Sequence, residues 1–124
     1  MKKIKKQTLK AVLSTIAIVA ATNPMGFTYN LNEDKMQTTG YAVALSATQN
    51  SCGADGFLKV VEYARKDNIE CIGGWLENET DCFYFDATVI VNDKEQAIAL
   101  GKANGQSPFL TSIPVTRSAF NFKS

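Results

Sequence analysis

Two kinds of side chain in this chain could do chemistry: the thiols of its three cysteines and the carboxylate of Asp86, which lies in an apolar stretch at residues 83–91. A carboxylate among apolar neighbours can serve as a general acid or base, and Cys52, just before a predicted helix, could act as a thiolate nucleophile. The chain has no His, which excludes Ser-His-Asp and Cys-His nucleophiles and His-ligated metal sites. We therefore expect a protein that is not an enzyme, with catalysis by Cys52 or Asp86 as the less favoured hypothesis.

A second group of candidate residues is the acidic stretch that contains Glu77, Glu79 and Asp81. Alternate carboxylates could hold Ca²⁺, which prefers several hard oxygen ligands. No glycine-centred ligand loop accompanies them, and such a run is typical of a solvated hairpin tip. The sequence therefore predicts neither a metal site nor a cofactor.

The first 21 residues have the pattern of an export signal. Five lysines precede an apolar run at residues 11–21, and no acidic residue occurs before Glu33. The run is shorter than the roughly 20 residues that span a bilayer, which favours cleavage after Ala21 over an uncleaved membrane anchor. We predict a secreted or periplasmic protein with no membrane association after cleavage.

Removal of this signal changes the charge of the chain. The 13 basic and 12 acidic residues give a formal charge of +1, but five of the basic residues lie in the signal. The remaining chain has eight basic against 12 acidic residues and a formal charge of −4. Such a chain has no basic stripe to neutralise phosphates, which argues against a nucleic-acid partner.

The hydrophobic pattern predicts one α+β domain at residues 40–113, preceded by a disordered linker at 22–39 and followed by a tail at 114–124. The order β-α-β-β-α-β is that of a ferredoxin-like fold, a four-stranded antiparallel sheet with two helices on one face. The predicted strands are at 41–46, 69–76, 83–91 and 109–113, and the predicted helices are at 55–68, capped by Asp55, and 92–104, capped by Asn92.

The predicted topology also suggests how the cysteines pair. The end of the first strand and the start of the third lie at the same end of the sheet, so we expect a disulfide between Cys52 and Cys82, with Cys71 left as a buried thiol. A Cys71–Cys82 bridge across the hairpin is the less favoured alternative, because a loop centred on residues 78–79 would not place those two opposite each other.

One face of the predicted sheet is left without helices, and we call it the open face. Its mixture of small residues with an aromatic and a carboxylate suits a protein or peptide partner, or a second copy of the chain. The residues that we predict there are Ala42, Ala44, Ser46, Tyr84, Asp86, Thr88 and Ile90, bordered by Trp75 or Leu76.

Three short motifs occur in order along the chain: Gly73-Gly74-Trp75, then Tyr84-Phe85-Asp86, then a helix whose ending reads A-I-x-L-G-K-x-N-x-Q at residues 97–106. In this the chain resembles small bacterial and phage-associated α+β chains over roughly residues 40–112. The resemblance implies no activity and assigns no functional residue. We therefore expect an exported protein-binding module, with an inhibitor or chaperone-like domain for a secreted enzyme as the alternative.

Overall fold

The computed structural model describes residues 7–106, 111–112 and 114–115. These residues form an α+β fold in which helices pack against an antiparallel sheet. The helices are α1 (Leu9–Thr22), α2 (Gly53–Asp67) and α3 (Lys94–Ala103), and the strands are β1 (Phe27–Asn30), β2 (Lys35–Met36), β3 (Tyr41–Ala44), β4 (Ser51–Cys52), β5 (Cys71–Glu77) and β6 (Cys82–Val91).

The sheet has the order β2-β1-β5-β6-β3, with β4 also paired to β6 beyond the end of β3. The neighbours β5, β6 and β3 are the second, third and first strands of the predicted ferredoxin-like plan. The four-stranded prediction is nevertheless wrong, because β1 and β2 extend the sheet beyond β5. Of the fourth strand predicted at 109–113, only Thr111 and Ser112 lie among the described residues, and neither is in a strand.

The hairpin of β1 and β2 falls in residues 22–39, which the sequence predicts to be a disordered linker. All four residues of β1 are buried, and the strand pairs with β5 along its whole length. Tyr29 packs in the core, and its hydroxyl donates a 2.6 Å hydrogen bond to Asp34. Burial and this carboxylate raise the pKa of Tyr29 to about 12. The segment is therefore part of the sheet rather than a linker.

Helix α1 contains most of the apolar run of the predicted export signal. Its N-cap is Thr8, and Val12, Ile16 and Ala20 lie on one side, buried in the core against α2 and β1. The three are four residues apart, as one helix face requires. Among the described residues, no helix combines the length and the hydrophobicity that a bilayer crossing needs.

Helix α2 covers the same face of the sheet as α1. The predicted apolar side is confirmed, since Val60, Val61 and Ala64 are fully buried and Phe57 stacks on Phe85 with ring centroids 4.8 Å apart. The helix begins two residues before the predicted cap, so Asp55 lies in its first turn, where a negative charge suits the helix dipole.

The N-cap of helix α3 lies one residue after the predicted cap. Asp93, rather than Asn92, is the N-cap, and its carboxylate accepts a 2.9 Å hydrogen bond from the Gln96 N–H. Ala97 and Gly101 form the buried side of the helix.

The residues at the end of α3 lie beside the outer edge of β3 and the residues that follow it. The outward N–H groups of Ala44 and Ser46 donate to the side-chain oxygens of Gln106 and Asn104, at 3.0 and 2.9 Å. Amide side chains thus satisfy edge donors that a neighbouring strand would otherwise pair.

Candidate functional site

The open face of the sheet has Asp86 near its centre. In the sheet register, Asp86 on β6 lies opposite Gly73 on β5, which in turn lies opposite Thr28 on β1. Tyr84 and Thr88 lie on β6 two residues before and after Asp86. Tyr84 lies opposite Trp75 on β5, and Thr88 lies opposite Ala44 on β3. Since alternate residues of a strand share a face, these side chains form one continuous surface.

The sheet is interrupted directly beside Asp86. Strand β6 pairs with β3 as far as Thr88 and with β4 from Phe85. The Leu45 N–H still donates to the Ala87 carbonyl, at 2.9 Å, and residues 46–50 then leave the ladder between the two pairings. The N–H of Ala87 donates instead to the hydroxyl of Thr48, at 2.9 Å, and Thr48 is fully buried. Interruptions of a ladder are common next to functional sites because they open space beside a strand.

A cavity of about 520 Å³ lies over this part of the open face. Its floor includes Thr28, Gly73, Asp86 and Thr88, and further walls come from three separate segments at residues 25–26, 49–50 and 104–106. Ligand sites in proteins typically have volumes of about 300–1,000 Å³. The cavity therefore has the size of a site for a small molecule or for a side chain of a partner.

Asp86 and Thr88 form a hydrogen-bonded pair at the base of the cavity, with the Thr88 hydroxyl donating to Asp86 Oδ1. Gly73 makes room for the pair, since a Cβ on Gly73 would lie 3.0 Å from Asp86 Oδ1 and 3.2 Å from Thr88 Oγ1. Burial raises the pKa of the Asp86 carboxyl to about 6, and the hydrogen bond from Thr88 opposes that rise.

An aromatic pair forms the wall at one end of the cavity. The rings of Trp75 and Tyr84 are stacked, with centroids 5.6 Å apart and planes inclined by 19°. Both side chains are half-buried and line the cavity. They present a broad surface that is apolar on its faces and carries polar groups at its edges.

Two cysteines meet just beyond the aromatic pair. Cys52 lies opposite Tyr84 in the register, and Cys82 precedes Tyr84 by two residues on β6. A hydrogen bond between the side chains of Cys52 and Cys82, together with burial, raises the pKa of Cys82. All three cysteines are free thiols here, so the predicted disulfide is not formed, although its two cysteines are in contact. Cys71 is fully buried as predicted, and its burial raises its pKa to about 12.

Most of the residues that the sequence predicts on the open face line the cavity: Trp75, Tyr84, Asp86, Thr88, Ala42 and Ala44. Ile90 and Ser46 do not line it. Sequence reasoning missed Thr28, Gly73, Asn104 and Gln106 as parts of this site. The adjacent glycines 73 and 74 were a usable signal, because glycine inside a strand marks a close approach of other groups.

The described residues contain no group of three or more His, Cys, Asp or Glu side chains arranged to hold a metal ion. Glu77 lines the cavity, whereas Glu79 and Asp81 lie in the exposed hairpin loop between β5 and β6.

This chain matches no protein-family model, no curated protein and no solved structure. The same fold can serve many activities, so the chemistry of the cavity is the best indicator of function.

The cavity brings together a carboxylate, side-chain amides and an aromatic pair. The hydroxyl of Thr88 is a hydrogen-bond partner of the Asp86 carboxylate. The side-chain amides of Gln106 and Asn104 already accept hydrogen bonds from the backbone N–H groups of Ala44 and Ser46. A fixed acceptor, preorganised amides and an aromatic wall are what a binding site needs.

Proposed function

We propose that this protein is an exported, non-enzymatic binding module and that the cavity on its open face receives part of a protein or peptide partner. The observation that carries this proposal is the cavity itself, which gathers side chains from β1, β3, β5 and β6 around the half-buried carboxylate of Asp86. Export is supported by the lysine-rich, apolar N-terminal pattern.

The rim of the cavity has the composition of a protein interface. Met25 is 49% exposed and lines the cavity near the stacked Trp75 and Tyr84. Aromatic residues and methionine are enriched at the centres of protein interfaces, and a flexible methionine adapts to the shape of a partner.

Capture of a partner from the host's secreted proteins tests this function. The bait is the full chain, beside Tyr84→Ala in the cavity wall and Asn78→Ala in the exposed hairpin loop as the matched control. We expect the original chain and the control to retain the same protein and Tyr84→Ala to lose it. Equal capture by all three would contradict a role for the cavity.

The identity of the captured protein distinguishes a general binding module from an inhibitor or a chaperone of a secreted enzyme. A secreted hydrolase whose activity falls on binding would indicate an inhibitor, and one whose yield of folded enzyme rises would indicate a chaperone. Recovery of the chain itself would indicate self-association through the open face.

A small enzyme that uses Asp86 is the second candidate, because a carboxyl pKa of about 6 suits proton transfer near neutral pH. The test is turnover of ester, peptide and glycoside substrates by the purified chain and by Asp86→Asn. Turnover that the substitution abolishes would favour this candidate over the binding module.

A further inference from the structure

The charges around the cavity are of one sign. Asp86 and Glu77 line it, and no Lys or Arg occurs among the residues described as its lining. The ion pair found in the described part of the chain, Lys35 with Glu33, involves neither of them. The cavity therefore holds a half-buried carboxylate without a cation from the described residues.

Within the described part of the chain, the hydrogen bonding of Asp86 leaves acceptor positions open. The hydroxyl of Thr88 donates to Oδ1, while an ionised carboxylate can accept about four hydrogen bonds. Gly73 has no side chain that would cover the carboxylate from β5. A ligand with several N–H donors could thus reach the remaining acceptor positions.

The aromatic wall narrows the choice of cation. Trp75 and Tyr84 lie in the same cavity as Asp86 and two residues from it in the register. Guanidinium is planar, stacks on aromatic rings, donates two parallel hydrogen bonds to a carboxylate and is more weakly hydrated than ammonium. These properties favour arginine over lysine as the group that leaves water for this site.

We propose that the cavity binds an arginine side chain of the protein partner, with the guanidinium against Asp86 and the aromatic pair Trp75 and Tyr84 beside it. This inference rests on the proposed function, since it names the group through which the partner enters the cavity.

The chain provides its own reporter for the test. Trp75 is its one tryptophan, so tryptophan fluorescence reports directly on the cavity. The probes are the capped tripeptides Gly-Arg-Gly, Gly-citrulline-Gly and Gly-Lys-Gly, titrated into the full chain at pH 7.5. Citrulline keeps the shape of arginine and removes its charge.

The matched variants are Asp86→Asn and Glu95→Gln, which remove the same charge from the cavity and from the exposed first turn of α3. Circular dichroism checks that both variants fold. We expect saturable binding of the arginine peptide, with affinity at least about tenfold weaker for the citrulline peptide and for Asp86→Asn, and unchanged for Glu95→Gln.

The pH dependence gives an independent readout. Because the Asp86 carboxyl has a pKa of about 6, arginine binding should weaken by about tenfold between pH 7.5 and pH 5. Glu77 from β5 and Tyr84 from β6 are the other titratable groups described in the lining, and both are present in Asp86→Asn. Asp86→Asn should therefore show a much flatter pH profile.

Equal binding of the citrulline peptide, tighter binding of the lysine peptide or unchanged affinity in Asp86→Asn would each overturn the inference. If the arginine peptide fails while Tyr84→Ala still abolishes partner capture, the cavity binds its partner through other chemistry and the proposed function stands. Capture that ignores Tyr84→Ala would remove the proposed function as well.

Discussion

Replacing Asp86 by Asn should stabilise the protein at neutral pH. Burial raises the pKa of this carboxyl from 3.8 to about 6, so the folded state holds the proton more tightly than the unfolded state. Ionisation of Asp86 therefore lowers the free energy of unfolding. This loss grows as the pH rises from about 4 to about 6 and is constant above about pH 6. Two pKa units correspond to about 3 kcal/mol, an upper value because water in the open cavity screens the charge.

The assay is urea unfolding of the original chain and of Asp86→Asn at several pH values between 4 and 8. The amide can still accept the hydrogen bond from Thr88, so the substitution removes the charge and preserves that contact. The free energy of unfolding of the variant should exceed that of the original chain by about 1 to 3 kcal/mol at pH 7, with the difference vanishing near pH 4. Parallel pH profiles would refute the reasoning.

Three further predictions concern the thiol pair and the core. Oxidised glutathione should convert the contacting thiols of Cys52 and Cys82 into a disulfide, with release of two reduced glutathione molecules. Peptide mapping by mass spectrometry detects this disulfide. Mixed disulfides with glutathione alone would count against the contact between the two thiols. Ile16→Ala should lower the free energy of unfolding in urea by about 2–5 kcal/mol, because Ile16 is fully buried. An unchanged midpoint of urea unfolding would mean that α1 does not pack on the core. Gly74→Ala should lower the free energy of unfolding by about 1–3 kcal/mol in the same assay, because the new Cβ would lie 2.7 Å from the Phe27 ring. An unchanged free energy of unfolding would show that the ring moves freely.

The sequence was sufficient to predict the elements with strong periodicity. The alternation along β6 and the i, i+3, i+4 spacing on α2 each arise because one face of the element is buried. The sequence therefore predicted both elements, with the correct face toward the core. In β1, Phe27 and Tyr29 also alternate with Thr28 and Asn30, but four residues beside a proline and a glycine give too weak a signal. Strand β1 depends on its pairing with β5, whose partner residues lie 41 to 47 positions further along the chain.

The cavity could be predicted only in part, for a related reason. Strand alternation placed Tyr84, Asp86 and Thr88 on one face. The break between β3 and β4 depends on a hydrogen bond from Ala87 N–H to the hydroxyl of Thr48, 39 residues apart, and no local pattern encodes it. The contribution of residues 104–106 likewise follows from the hydrogen bonds that the side chains of Gln106 and Asn104 accept from the N–H groups of Ala44 and Ser46.

Site-specific photo-crosslinking tests most directly whether the partner binds at the cavity. One photo-reactive residue replaces Met25, which is exposed on the cavity rim, and another replaces Glu62, which is exposed on α2. Both sites tolerate a new side chain because neither is packed in the core. We expect the captured partner to crosslink from position 25 and not from position 62. Crosslinking from position 62 alone would place the partner on the helical side and contradict the account.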